Sequence, residues 1–239
     1  AWLDKDGKGN WGWEEVPYWL KGYANIGYIL DDPEMIKEAK IWIDGAINSQ
    51  KPNGFFGPGF AWESYISEEN RTAERLAKKL KKQDYWANMI MLYCLQSYYE
   101  YTADERVITL MTNYFKHQLG VPDEDFLSES QYWQRIRAGD NLHSVLWLYN
   151  RTGESWLLKL AEKVHRNTAP WSKRDNTLEA IGSPKEIREG MEWPEWYGKL
   201  IDWHNVNIAQ AFREPAQYYL LSGNKKDLQA TYDNFNIIR

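Results

Sequence analysis

The sequence predicts an all-α fold of repeated helical hairpins, and three observations carry that prediction. Four stretches follow one plan of helix, tight turn and second helix, with turns at LDDPE (30–34), TADE (102–105), RTGE (151–154) and LSGNKKD (221–227). Behind each turn, apolar residues recur three or four apart, the spacing of one helix face. No stretch shows the strict alternation of a half-buried strand.

In the first hairpin, YWLKGYANIGYIL is apolar nearly all round, Asp32 is placed to cap the next helix with Pro33 at its first position, and Ile36, Ala39, Ile43 and Ile47 form the following apolar face. In the second, YWANMIMLYCLQSYYEY precedes Thr102 and Glu105, which read as a capping box ahead of Val107, Leu110, Met111 and Tyr114. DNLHSVLWLYN and then Leu157, Leu160, Ala161 and Val164 make the third. The fourth runs from WHNVNIAQAFREPAQYYLLSG, roughly six turns of helix, into Leu228, Tyr232 and Phe235. First helices are expected to face inward and second helices to keep one wet face. Such a repeat makes a toroid or a solenoid. The long, unequal returns KPNGFFGPGFAWESYISEEN and 169–202 favour a toroid whose loops gather over a central cavity.

With 239 residues and no linker-like stretch, one domain over 1–239 is expected. The net charge of -5, with both signs interleaved, excludes the basic stripe that nucleic acid requires. No run approaches the ~20 apolar residues of a membrane span. The start AWLDKDGKGN has neither a methionine nor a signal-peptide core, so the chain begins after processing or is a piece of something longer. Cys94, the single cysteine, excludes an intrachain disulfide and reads as a buried small apolar residue. The 14 tryptophans and 16 tyrosines fit a ring-heavy core, but many sit beside acids and amides, the mixture a sugar-binding surface uses.

Three groups could carry chemistry. At about 100° per residue, His204, Asn207, Ala211, Glu214 and Tyr218 share one stripe, which suits a cavity wall. The alternative has His204 capping the helix and the amides bonding nearby loops; Pro215 is expected to kink this helix. Arg137, Asp140, Asn141 and His143 open an otherwise apolar helix, either as a pocket wall or as an Asp140 cap partnered by Arg137. In NWGWEEVPYW, Trp11, Trp13, Glu14 and Glu15 serve a ligand or, for the two acids, only the helix dipole. The loop NGFFGPGFAW (53–62) offers rings on glycine turns, a lid. The histidines lack metal-ligand spacing, so no metal site and no cofactor are expected within this chain. No serine occupies a nucleophile elbow.

The segments WGWEEVPYWLKGYANIGYILDDPEMIKEAKIWID, NGFFGP, YWANMIMLYCLQSYYEYTADERVI, GDNLHSVLWLYNRTGESWLLKLAEKVH and WHNVNIAQAFREPAQYYLLSGN together resemble the bacterial β-L-arabinofuranosidases of glycoside hydrolase family 127 and its relatives. The resemblance implies an (α/α)6 toroid, of which this chain is an N-terminal and central part incomplete at both ends, followed by C-terminal β-sandwich domains. It implies an exo-acting enzyme that removes a terminal sugar from arabinofuranoside-containing or related plant-type glycans, in the periplasm or outside the cell. His204, in the WHxVN position, falls in the implied sugar pocket. Family members use a zinc ion held by three cysteines and a glutamate, with one cysteine as nucleophile, and a second glutamate as acid/base. This chain has only Cys94, and Asn88 where a family histidine is expected, so zinc is implied for the intact enzyme alone. On this reading Trp13 and Trp86 stack on the sugar. Glu14, Arg137, Asn141, His143, Asn205 and Asn207 bind it, and His204, Glu15 and Asp140 are the catalytic candidates. Two other classes compete: a non-catalytic carbohydrate-binding scaffold, which would need no thiolate or acid pair, and a tetratricopeptide-like adaptor, whose equal hairpins and open groove this pattern lacks.

Overall fold

The computed structural model describes residues 2–4, 12–58, 83–127, 132–172 and 205–238. Every element among them is a helix: α1 (Glu15–Leu30), α2 (Pro33–Asn48), α3 (Trp86–Thr102), α4 (Glu105–Gly120), α5 (Tyr132–Ile136), α6 (Gly139–Thr152), α7 (Trp156–Asn167), α8 (Asn205–Ala211), α9 (Glu214–Ser222) and α10 (Lys225–Ile238). The chain is all-α, as the sequence predicts. None of these helices is long and apolar enough to cross a membrane. Trp11, the lid residues from Gly59 to Trp62, and the return containing Trp203 and His204 lie outside the described residues. Two compact units are formed, one of residues 1–131 with 150–152 and one of 132–149 with 153–239.

The four hairpins turn by one backbone device. The residue after each first helix is left-handed: Asp31 at φ 52°, Ala103 at 54°, Gly153 at 68° and Gly223 at 63°. Each gives its N–H to a carbonyl four residues back, on Gly27, Tyr99, Tyr149 and Tyr219 respectively. That bond satisfies a carbonyl the helix end would otherwise orphan. Asp32 then caps α2, its Oδ1 accepting from the N–H of Glu34 and of Met35 at 3.0 Å each. In the second hairpin the cap is Asp104, a correction to the expected Thr102 box. Thr102 is still helical and donates its hydroxyl to the Tyr98 carbonyl at 2.7 Å, which leaves Asp104 to accept from the Arg106 N–H at 3.0 Å.

In the first unit α3 is central, burying side chains on every side, from Trp86, Met89 and Leu92 to Asn88, Gln96 and Tyr98. α1, α2 and α4 pack on it. α4 contributes Val107, Leu110, Met111 and Tyr114, the face its spacing predicts. α1 departs from the expected all-round burial. It buries Pro17, Leu20, Ala24 and Gly27, while Trp19, Ile26, Ile29 and Leu30 are exposed, because α2 and α3 cover only one side of it.

In the second unit α7 buries Leu157, Leu160, Ala161 and Val164 as expected, and α9 packs against α7 and α10. The long helix expected after Trp203 is instead two, α8 and α9. Pro215 has no N–H to return to the preceding turn, and it occupies the first turn of α9, where none is needed. Proline therefore starts a helix here instead of kinking one. α10 also turns a different face inward: Asp227, Ala230 and Asn234 are buried, while Tyr232 and Phe235 are exposed. Two polar ties set that rotation, Asn234 Nδ2 to the Trp171 carbonyl at 3.2 Å and the Ser222 hydroxyl to Asp227 at 2.9 Å.

Two substitutions of opposite sign test the loop and turn backbone. Gly54 sits at φ +92°, and a Cβ there would lie 2.4 Å from the Asn113 carbonyl oxygen. Gly54→Ala is expected to lower stability by roughly 2 kcal/mol or more. Ala103→Gly, which relieves a left-handed alanine, is expected to raise it by about 0.5–1 kcal/mol. Urea midpoints of the two variants and the parent check both signs.

Candidate functional site

The second unit gathers a buried polar network around the start of α6. Arg137, in the turn between α5 and α6, is 4% exposed and donates Nε to Asn207 Oδ1 on α8 at 2.7 Å. Asp140, in the first turn of α6, forms an ion pair with Arg213, which lies between α8 and α9. Gly139 permits this approach, since a Cβ would stand 3.1 Å from both the Gln210 carbonyl and the Glu214 Cβ. Glu214 is fully buried; its Oε1 lies 2.8 Å from His165 Nδ1, and the His165 ring stacks on Tyr218 at 3.7 Å. Burial raises the Glu214 carboxyl above its ordinary range, with His165 pulling it back in part.

The first unit gathers a second group where the chain enters α1 and α3. Trp86 is wholly buried and donates Nε1 to Glu14 Oε2 at 2.6 Å. Its backbone N–H goes to Asp84 Oδ1 at 2.9 Å. Asp84 is 2% exposed, and burial, reinforced by the charge of Glu14, pushes its carboxyl up to about 7; the Trp86 N–H and the Trp13 indole act in the opposite direction. One turn further on, Asn88 donates Nδ2 to the Phe56 carbonyl at 2.7 Å. Glu15 points elsewhere, into a cleft of about 580 Å³ lined by Trp2, Leu3, Val16, Trp19 and Trp42.

The structure thus joins Arg137, Asp140 and Asn207 in one unit and Trp13, Glu14 and Trp86 in the other. Two sequence expectations are corrected. Asp140 does not cap α6, whose N-cap position is Ala138, and its ion pair is with Arg213. Trp86 presents no face for stacking, because it is buried and holds Glu14; Trp13, at 7% exposure, leaves little ring open. Asn141 is buried, His143 is half-buried with Nδ1 3.5 Å from Gln217 Nε2, and Asn205 is exposed. Sequence reasoning missed Asp84, whose place just ahead of a helix looks like capping. It also missed His165, whose link to Glu214 spans 49 residues.

A zinc site of three cysteines and a glutamate does not fit these residues. Cys94 is buried, donates weakly to the Pro17 and Ile90 carbonyls at 3.4 and 3.6 Å, and has its thiol pushed up to about 12 by burial. Such a thiol supplies no thiolate at neutral pH. Among the described residues no three His, Cys, Asp or Glu side chains are grouped to hold a metal ion.

Asp84 makes stability depend on pH. An acid whose folded pKa lies above its unfolded value binds its proton more tightly when folded, so stability falls as pH rises from about 4 towards 7. The loss levels off above that, at no more than about 4 kcal/mol. Asp84→Asn, which cannot ionise, is expected to be more stable than the parent at pH 8 and nearly equal to it at pH 4. Denaturant midpoints at the two pH values check this, and an offset that is the same at both rules out titration of Asp84.

The family model described as Beta-L-arabinofuranosidase, GH127 catalytic domain, matches residues 8–239. Comparison with curated proteins and with solved structures gave no match. The matched span includes both polar groups and all ten described helices, and on that match the chain belongs to the GH127 β-L-arabinofuranosidase family of glycoside hydrolases.

Proposed function

We propose that the protein is an exo-acting glycosidase that removes a terminal arabinofuranosyl or closely related sugar from plant-type glycans, outside the cytoplasm. Family membership supplies the reaction class. The observation that carries a sugar-binding role for this chain is the buried bond from Arg137 to Asn207 beside the Asp140–Arg213 pair. Arg137 fixes the orientation of the Asn207 amide, and Asn207 belongs to the same WHNVN stretch as His204, three residues before it. A fixed amide three residues after a histidine is suited to hold sugar hydroxyls near the glycosidic bond. Asp140, committed to a guanidinium, orients its neighbours and does not shuttle protons. Glu15, exposed on a ring-lined cleft, is a binding group. Cys94, buried and with its thiol pushed up by burial, is not the nucleophile of this reaction.

The test is hydrolysis of 4-nitrophenyl L-arabinofuranosides and arabinose-containing oligosaccharides, with product analysis and with zinc supplied. His204→Ala and Asn207→Ala are each expected to lower kcat/KM by more than about tenfold, and Cys94→Ala to leave kcat unchanged. Unaltered rates would remove His204 and Asn207 from the pocket. Calorimetric binding of the oligosaccharides without any hydrolysis would instead assign a carbohydrate-binding scaffold.

A further inference from the structure

Glu15 and Trp19 lie one helical turn apart at the start of α1, a spacing that sets both side chains on one face, with Cβ atoms about 5–6 Å apart. With Trp2, Leu3, Val16 and Trp42 they line the cleft of about 580 Å³. Its described walls come from the first unit alone, and none of them takes part in the polar network around α6. The rings are fixed in place. Trp19 stacks on Tyr23 from the next turn of α1, with centroids 4.8 Å and planes 26° apart, and meets Trp42 edge to face at 6.0 Å and 75°. Trp42 is held in turn by its Nε1, which donates to Glu38 at 3.0 Å. Trp19 is nevertheless 43% exposed. An indole that its neighbours immobilise and yet leave open is a preformed apolar face, with little ring motion left to freeze when a ligand arrives.

Charge narrows the occupant. Glu15 is exposed and forms no hydrogen bond or ion pair among the described residues, and no lysine, arginine or histidine is among the described residues that line the cleft. An anion would meet a carboxylate with no cation to offset it, and one carboxylate supplies too few ligands for a metal ion. A neutral body with a flat apolar face and hydroxyls at its edge fits, and a sugar has that form: its C–H groups lie on the indole while Glu15 accepts from a hydroxyl. The volume exceeds what a single sugar ring fills and lies within the range of about 300–1,000 Å³ usual for small-molecule sites. Resting on the glycosidase reading above, we propose that this cleft is a second carbohydrate site, which holds the chain of a neutral glycan on the Trp19 ring and the Glu15 carboxylate. It serves substrates long enough to reach it, and does little for a substrate that is a single sugar.

The probes are arabinopentaose, L-arabinose and tetramethylammonium, each titrated calorimetrically into the whole protein, together with kcat/KM for a 4-nitrophenyl L-arabinofuranoside. Trp19→Leu, which keeps an apolar side chain and removes the flat ring, is expected to weaken arabinopentaose binding about tenfold, and Trp19→Phe, which keeps a ring, by no more than about threefold. Glu15→Ala is expected to weaken it about fivefold. In Trp19→Leu the loss on the pentasaccharide should exceed the loss on L-arabinose, and the loss in kcat/KM, by at least about fivefold. An equal loss on all three makes the cleft part of the cleaved sugar's own pocket and overturns the second site. Arabinopentaose binding that is the same in parent and Trp19→Leu overturns it too, as does Trp19-dependent binding of tetramethylammonium in place of the pentasaccharide, the mark of an ammonium cage. If Trp19→Leu fails to fold by circular dichroism, the loss of arabinopentaose binding in Glu15→Ala decides, since Glu15 is exposed. A parent that hydrolyses the aryl arabinofuranoside but does not bind arabinopentaose defeats the second site alone. A parent that neither binds nor hydrolyses any of these sugars defeats the glycosidase reading, and the second site with it.

Discussion

Asp140 is 1% exposed, and a carboxylate so placed would cost several kcal/mol if left unpaired. The pairing guanidinium comes from Arg213, at the break between α8 and α9, so the start of α6 and the join of two other helices are fixed by one ion pair. Gly139 is part of the same constraint, because a side chain there would press on the Gln210 carbonyl and on Glu214. The break imposed by Pro215 and the demand of Asp140 for a cation are therefore met at one place. Arg137 repeats the logic in reverse, its buried charge being answered by the Asn207 amide. Buried networks of this kind add little net stability but tie their members to one arrangement, which is what a preorganised binding wall requires.

The first unit meets the same demand with tryptophan. Trp86 engages both Glu14 and Asp84, the first through its indole and the second through its backbone, so one residue at the start of α3 locates two carboxyl groups from different parts of the chain. The Trp13 indole also hydrogen-bonds the Asp84 carboxyl, from the turn ahead of α1. Burial, reinforced by the charge of Glu14, outweighs these bonds, so the carboxyl keeps its proton to about neutral pH.

Much of the fold was legible because its causes are local. The faces of α4 and α7 follow from spacing alone, and the Asp32–Pro33 start from capping chemistry. The Thr102 box failed because the left-handed Ala103 inserts one residue between the helix end and the next cap, a shift that no propensity marks. The face of α10 failed for a tertiary reason: Asn234 answers the Trp171 carbonyl, and that tie overrides the apolar stripe of Tyr232 and Phe235. Of the site, the residue types on α6 and α8 were readable as polar groups in apolar helices. Their pairing was not, since Asp140 and Arg213 are 73 residues apart and no helical period connects them. Asp84 was invisible for the same reason, as its neighbours Trp13 and Glu14 arrive from the turn ahead of α1.

Adjacent acids and abundant rings suggested a single sugar surface, and the structure separates them by geometry. Successive residues on a helix diverge by about 100°, so Glu14 and Glu15 cannot serve one point. Glu14 turns to Trp86 in the core, while Glu15 turns to the cleft where Trp19 stands 43% exposed. The tryptophans divide in the same way. Trp2, Trp86 and Trp171 are nearly or wholly buried with their N–H groups bonded, so their abundance reflects a core that uses the indole as both filler and donor. Ring count is thus a poor guide to sugar contact in this chain. The informative quantity is whether the polar edge of a buried ring is occupied, and the Trp13 indole, bonded to the Asp84 carboxyl, follows the same pattern as the others.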